Sequence, residues 1–131
     1  MSANSNAIRE YYQAIKNKLV QTRFDAALTS INKLLQKHPN DEYGHYYKGV
    51  CEFALEKPQA ALKSYQEAIK LDPGFAKAYF NLGVCYFILR QYDSALINIG
   101  KALIIFTKRR ELDKKKRCID ALNVIERMRK L

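Results

Sequence analysis

Apolar positions in this chain come in short runs at helical spacing, and the runs return at a fixed interval. Tyr79, Leu82, Gly83 and Tyr86 form one run, and Ala95, Leu96, Ile99, Ala102 and Leu103 form the next. Both follow the three-to-four-residue rhythm of an α-helix with one buried side. The polar stretch Arg90-Gln91-Tyr92-Asp93 between them suits a tight antiparallel turn. A shift of 34 residues lays Gly49-Val50-Cys51 over Gly83-Val84-Cys85, Leu55 over Leu89, Ala61-Leu62 over Ala95-Leu96 and Ala68 over Ala102. The reverse shift takes Tyr46 to Tyr12, Ala61-Leu62 to Ala27-Leu28, Ser64 to Ser30 and Pro73 to Pro39. A fixed period of this length predicts stacked helix pairs, each unable to bury its apolar face alone.

Stop signals agree with the period. The middle unit breaks at Glu56-Lys57-Pro58, where proline in a first helical turn loses nothing by lacking an N–H. It closes at Leu71-Asp72-Pro73-Gly74, and the first unit closes at His38-Pro39-Asn40-Asp41, whose Asn or Asp can cap the following helix. Gly49, Gly83, Ala61, Ala95, Ala68 and Ala102 fall where helices of adjoining units approach closely, so a larger side chain would strain the packing.

These residues resemble the tetratricopeptide repeat, whose unit runs aromatic, Leu-Gly, Tyr, Ala-Leu, aromatic, Ala and a closing Pro. The last unit carries Tyr79, Leu82-Gly83, Tyr86, Tyr92, Ala95-Leu96 and Ala102, with Thr107 in place of Pro. The middle unit carries Gly49, Ala61-Leu62, Tyr65, Ala68 and Pro73 but has Lys48 for Leu and Glu52 for Tyr. The first keeps Tyr11, Phe24, Ala27-Leu28 and Pro39, with Ile15 for Gly and Leu34 for Ala. The resemblance implies an all-α, right-handed superhelical solenoid. Its repeats would cover about residues 8–41, 42–75 and 76–109 of one domain spanning 1–131.

The last segment has a different character. Residues 108–130 hold ten Lys or Arg against four Asp or Glu, giving +6 of the chain's net +10. Lys108, Arg109, Arg110, Lys114, Lys115, Lys116 and Arg117 form the densest patch. Behind it Ile119, Leu122, Ile125 and Met128 recur every three residues and predict the apolar stripe of a helix over about 111–130 that covers the last repeat.

At 131 residues and 48% hydrophobic the chain has enough material for a continuous core. No run approaches the ~18 apolar residues of a membrane span. The start, Met1-Ser2-Ala3-Asn4-Ser5-Asn6, lacks the layout of a signal peptide, and its first residues are expected to fray. The cytoplasm is the expected location. Cys51 and Cys85 are equivalent positions one repeat apart, which reads as core packing, and a separation of ~8–10 Å is too wide for a disulfide. Cys118 is an odd third. No metal-ligand spacing and no phosphate-cradling glycine loop is present, so neither metal nor cofactor is expected. His38 and His45 lack a nucleophile or carboxylate at a telling spacing, and an enzyme is not expected.

What the resemblance implies for function is a protein-interaction module, an adaptor, scaffold or chaperone-like holder of a peptide segment. The first helix of each unit would line a concave groove. That places Arg9, Tyr12, Gln13, Lys16 and Leu19 there from the first unit, and Tyr43, Tyr46, Tyr47, Val50 and Phe53 from the second. The third adds Lys77, Phe80, Asn81, Val84 and Phe87. Contiguous aromatic surface of this kind marks a binding site, and basic residues at its rim favour acidic flanks on the ligand. Packing between helices competes for Tyr11, Tyr43 and Tyr79. Residues 1–8, the terminal helix or a second copy of the chain could also fill the groove. Relatives that clamp the acidic tails of heat-shock chaperones use Lys, Asn, Asn, Lys and Arg. The matching positions here are Tyr12, Lys16, Tyr47, Lys77 and Asn81, of which Lys77 alone agrees. Three-repeat chaperones of type III secretion, which hold an extended segment in an apolar groove, are similar in size and repeat number. They tend to be acidic and to carry a longer N-terminal dimerising segment, and this chain departs on both counts. A different partner class would use the basic terminal helix against phosphate, on nucleic acid without sequence readout or on an anionic membrane surface.

Overall fold

In the computed structural model, residues 3–131 are described, with side chains described from Asn6 onward. Of the first residues, expected to fray, Met1 and Ser2 lie outside the described residues, as does the beginning of the 1–8 segment; from Ala3 the chain is helical. Seven helices follow: α1 (Ala3–Val20), α2 (Phe24–Lys37), α3 (Glu42–Ala54), α4 (Pro58–Leu71), α5 (Ala76–Ile88), α6 (Tyr92–Lys108) and α7 (Leu112–Arg129). There is no strand among the described residues. The fold is an all-α solenoid of three helix pairs closed by α7.

The turns inside the pairs share one geometry. Thr22, Glu56 and Arg90, spaced by the 34-residue period, each adopt positive φ, at 56°, 62° and 61°. After each, a backbone N–H reaches back five residues: Arg23 to the Lys18 carbonyl, Lys57 to Glu52, Gln91 to Tyr86. This is the Schellman closure of a helix C-terminus, which needs one left-handed residue. The same closure recurs at Arg110 and Glu111, before α7. Between pairs, Asp41 caps α3 by accepting the Gly44 N–H at 2.8 Å, and Pro58 opens α4. Both follow from the sequence. Without a proline at Thr107, α6 runs to Lys108, three residues longer than α2 and α4.

Small residues are where the helices touch. A Cβ on Gly49 would lie 2.7 Å from the Tyr65 ring, and one on Gly83 would lie 2.4 Å from Ile99 Cγ1. Ala27, Ala61, Ala68, Ala95 and Ala102 are fully buried. The core runs along the stack as successive clusters. The first joins Ile15, Ala27, Ile31, Leu34 and Cys51 from α1, α2 and α3, and the second joins Ala61, Tyr65, Leu82 and Cys85. The last joins Ala76, Ala95, Ile99, Ala102 and Phe106 to Cys118 and Ile125 of α7.

Helix α7 therefore covers the last pair, but with only Leu122 and Ile125 of the four-residue stripe expected. Cys118, Ala121, Leu122 and Ile125 face the core, whereas Ile119 and Met128 stay about two-fifths exposed. Steps of three residues turn an α-helix through about 300°, so four such positions drift over half the circumference. The spacing that keeps one face is three, then one, then three.

Candidate functional site

One side of the stack carries a line of pockets between α3, α5 and α7. The first, about 140 Å³, is lined by Val50, Phe53, Tyr65, Asn81 and Val84. The next, about 270 Å³, is lined by Tyr46, Lys77, Phe80, Asn81, Phe106, Lys114 and Arg117. A third, about 240 Å³, has Val84, Phe87, Ile99, Asp120, Ala121, Val124 and Ile125 around it. Asn81 belongs to the first two and Val84 to the first and third, so the three form one trough. Helical spacing explains the composition. Val50 and Phe53 on α3 repeat one period later as Val84 and Phe87 on α5, so the same apolar rim faces each inter-helix gap.

Eight of the fifteen groove residues named from sequence line this trough: Tyr46, Val50, Phe53, Lys77, Phe80, Asn81, Val84 and Phe87. The other seven stand apart from these pockets. Arg9 and Lys16 are exposed on α1. Tyr12 donates its hydroxyl proton to the Asp41 carboxylate and sets its ring edge-on to Tyr43 and Tyr47, each 6.2 Å away. Burial and the neighbouring Asp41 carboxylate push its ionisation well above the ordinary tyrosine range. Tyr47 is half-buried beside Tyr46, at 5.4 Å. Tyr46 stacks on Phe75 at 4.9 Å, and Asn81 Nδ2 donates to the hydroxyls of Tyr46 and Tyr65 at 3.3 and 3.4 Å. Its ring thus serves the junction of α3 and α5 as well as the trough. Gln13 is exposed and Leu19 packs into the first core cluster. Tyr11 and Tyr79 pack against the first and last clusters, while Tyr43 is 48% exposed with its ring edge on Phe75.

The residues of the basic patch make different contacts. Lys114 and Arg117 turn into the trough. The Lys114 ammonium lies 2.9 Å from Glu111 Oε1 and 5.9 Å from the centre of the Phe106 ring. Arg109 donates to the Gly74 carbonyl at 2.9 Å, tying the end of α6 to the α4–α5 loop. Lys108, Arg110 and Lys116 are exposed and Lys115 is half-buried. Reading the patch as linear sequence missed Phe106 and the approach of α7 to α5. The signal was there, since Lys114 stands one period after Phe80.

The remaining reactive groups are inward. Cys51, Cys85 and Cys118 are free thiols, all fully buried, and burial pushes Cys51 up to about 11 and Cys85 up to about 12. His45 Nε2 lies 2.8 Å from the Pro39 carbonyl oxygen, holding the α2–α3 turn. Among the described residues no group of three His, Cys, Asp or Glu is placed to hold a metal ion, and no helix is long and apolar enough to cross a membrane.

Residues 52–89 match the family model for the TPR repeat, and residues 76–104 match that for the tetratricopeptide repeat. No curated protein sequence matches the chain. Among solved structures it is similar to SycD, the type III secretion translocator chaperone of Yersinia enterocolitica, with a TM-score of 0.91 at 17% identity over 100% of this chain and 90% of that one. PcrH, in complex with the chaperone binding region of PopD, gives 0.90 at 18% identity over 98% and 96%. The first TPR of Spaghetti (RPAP3), bound to the HSP90 peptide SRMEEVD, gives 0.86 at 17% over 95% and 94%. At these identities the likeness is one of fold. Together with the repeat matches, which span residues 52–104, and the three helix pairs closed by α7, it shows a tetratricopeptide-repeat fold.

Proposed function

We propose that this protein holds a peptide segment of a protein partner in the trough across α3, α5 and α7, as an adaptor or chaperone-like module. The observation that carries the reading is the run of adjoining pockets rimmed by Val50, Phe53, Val84 and Phe87. Half-buried aromatic and branched side chains offer contact area with few rotors to freeze, which suits a preformed peptide site. PcrH with its PopD region and the RPAP3 domain with its heat-shock peptide, both of this fold, support it. The reading extends the sequence expectation by adding α7, and it moves the weight of the site away from Arg9, Tyr12 and Lys16.

The test is selection of random peptides of about 12 residues displayed on phage against the immobilised protein, followed by titration of the enriched peptides. Phe53→Ala with Val84→Ala keeps helix-favouring residues while emptying the rim, and is expected to weaken binding about tenfold or more. Failure to enrich any peptide, or equal binding by the variant, overturns the proposal.

A further inference from the structure

The pocket of about 270 Å³ differs from its neighbours in charge. Lys77 comes from the first turn of α5, Lys114 and Arg117 come from the first two turns of α7, and no carboxylate lines the pocket with them. Phe80 and Phe106 provide apolar walls, and Asn81 and Tyr46 complete the lining. The N-terminal ends of two helices add their positive dipole ends to the same place. One carboxylate of the chain already lies nearby: Glu111, just before α7, accepts from Lys114 at 2.9 Å. Lys114, Arg109 and Lys77 hold it below the ordinary carboxylate range. Three cations against this one partly engaged acid leave a net positive pocket beside apolar ones.

We infer that this pocket is an acidic-residue subsite of the trough, built jointly by α5 and α7, which takes an Asp or Glu side chain of the docked segment while an apolar residue of the same segment fills the Val50, Phe53 and Val84 pocket. The inference rests on the peptide-binding reading and sharpens it. Asn81 lines both pockets, so one short segment can occupy the two together. A carboxylate there meets charge-assisted donors from Lys77, Lys114 and Arg117, in surroundings partly shielded from water by Phe80 and Phe106, where such bonds are strongest. Two unlike subsites on neighbouring positions fix the direction in which the segment lies. The terminal helix is then part of the ligand site as well as the cover of the stack.

The phage selection, run in parallel on wild type and on Lys114→Glu with Arg117→Glu, decides the matter. A second variant, Lys114→Gln with Arg117→Gln, removes the charges with less repulsion at Glu111 and serves if the reversal disturbs α7. The expected result is that wild type enriches peptides with Asp or Glu at a fixed offset from an apolar anchor, and that the reversal loses this preference or turns it toward Lys or Arg. Replacing the acid by Gln in an enriched peptide should weaken binding about tenfold to wild type and within about twofold to the neutralised variant. Peptides with the apolar anchor and no acid preference would overturn the subsite while leaving the peptide-binding reading intact. No enrichment on wild type would overturn both. A labelled oligouridylate or vesicles rich in phosphatidylserine, bound by wild type and lost in the variants without any acid preference among peptides, would assign the cations to phosphate and overturn the subsite too.

Discussion

Gly83 lies so close to Ile99 that a Cβ added to it would sit 2.4 Å from Ile99 Cγ1 and 3.1 Å from the Ala95 carbonyl oxygen. The second contact is backbone, which cannot swing aside. Helices α5 and α6 are thus as close as a glycine permits. Gly83→Ala is expected to lower stability by about 1–3 kcal/mol, the usual cost of overpacking. Gly100, in the middle of α6, is the control, since a Cβ there meets nothing within 4 Å. Gly100→Ala should raise stability by about 0.5–1 kcal/mol through helix propensity alone. Urea titration of both variants checks the sign of each; a stabilised Gly83→Ala would contradict the close approach.

Three non-glycine residues hold the left-handed closures of α1, α3 and α5. Left-handed backbone costs an ordinary residue about 1–2 kcal/mol, partly offset by the greater unfolded-state freedom that glycine would bring. Glu56→Gly and Arg90→Gly, at φ of 62° and 61°, are therefore expected to stabilise by about 0.5–1 kcal/mol each. The sites lie in separate turns, so the double variant should add the two effects. A fall in melting temperature for either would mean that its side chain makes a compensating contact.

The repeat, its turns and its small-residue contacts were legible because each copy restates the same steric demand. Gly49 and Gly83, or Pro39 and Pro73, confirm each other across the period. The trough was legible on α3 and α5 for the same reason. It was less so on α1, where Tyr12 turns its hydroxyl to Asp41, a partner 29 residues away that helical spacing does not reveal. The terminal helix has no second copy to calibrate its register, and its apolar residues outnumber those one face can bury. Cys118 and Ala121, small enough to be passed over, sit against the last cluster, while the larger Ile119 faces outward.

That register has a direct consequence. Ile125 is 3% exposed and packs with Ile99 and Phe106 in one cluster, whereas Ile119 is 40% exposed. Ile125→Ala should destabilise by about 2–5 kcal/mol. Ile119→Ala should stay within about 0.5–1 kcal/mol of wild type. Equal losses at the two positions would restore the three-residue stripe.

Alkaline pH should weaken the fold earlier than surface groups would require. Burial raises Cys51 and Cys85 from about 9 to about 11 and about 12, and raises Cys118, Tyr46 and Tyr65 as well. The folded state keeps these protons after the unfolded chain begins to lose them. Between about pH 9 and 12 the folded protein therefore binds more protons than the unfolded one, and the stability of unfolding falls with rising pH. The contribution is fully present below about pH 9, where the thiols are protonated in both states. Replacing Cys51 and Cys85 by Ala removes two of the groups, so the variant's stability should decline less steeply over this window, whatever its absolute value at neutral pH. Urea midpoints at pH 7, 9 and 10 for wild type and variant give the comparison, and parallel slopes would show that the thiols are not sealed in the core. The same burial predicts slow labelling of all three cysteines by a thiol reagent at pH 8, becoming immediate in denaturant.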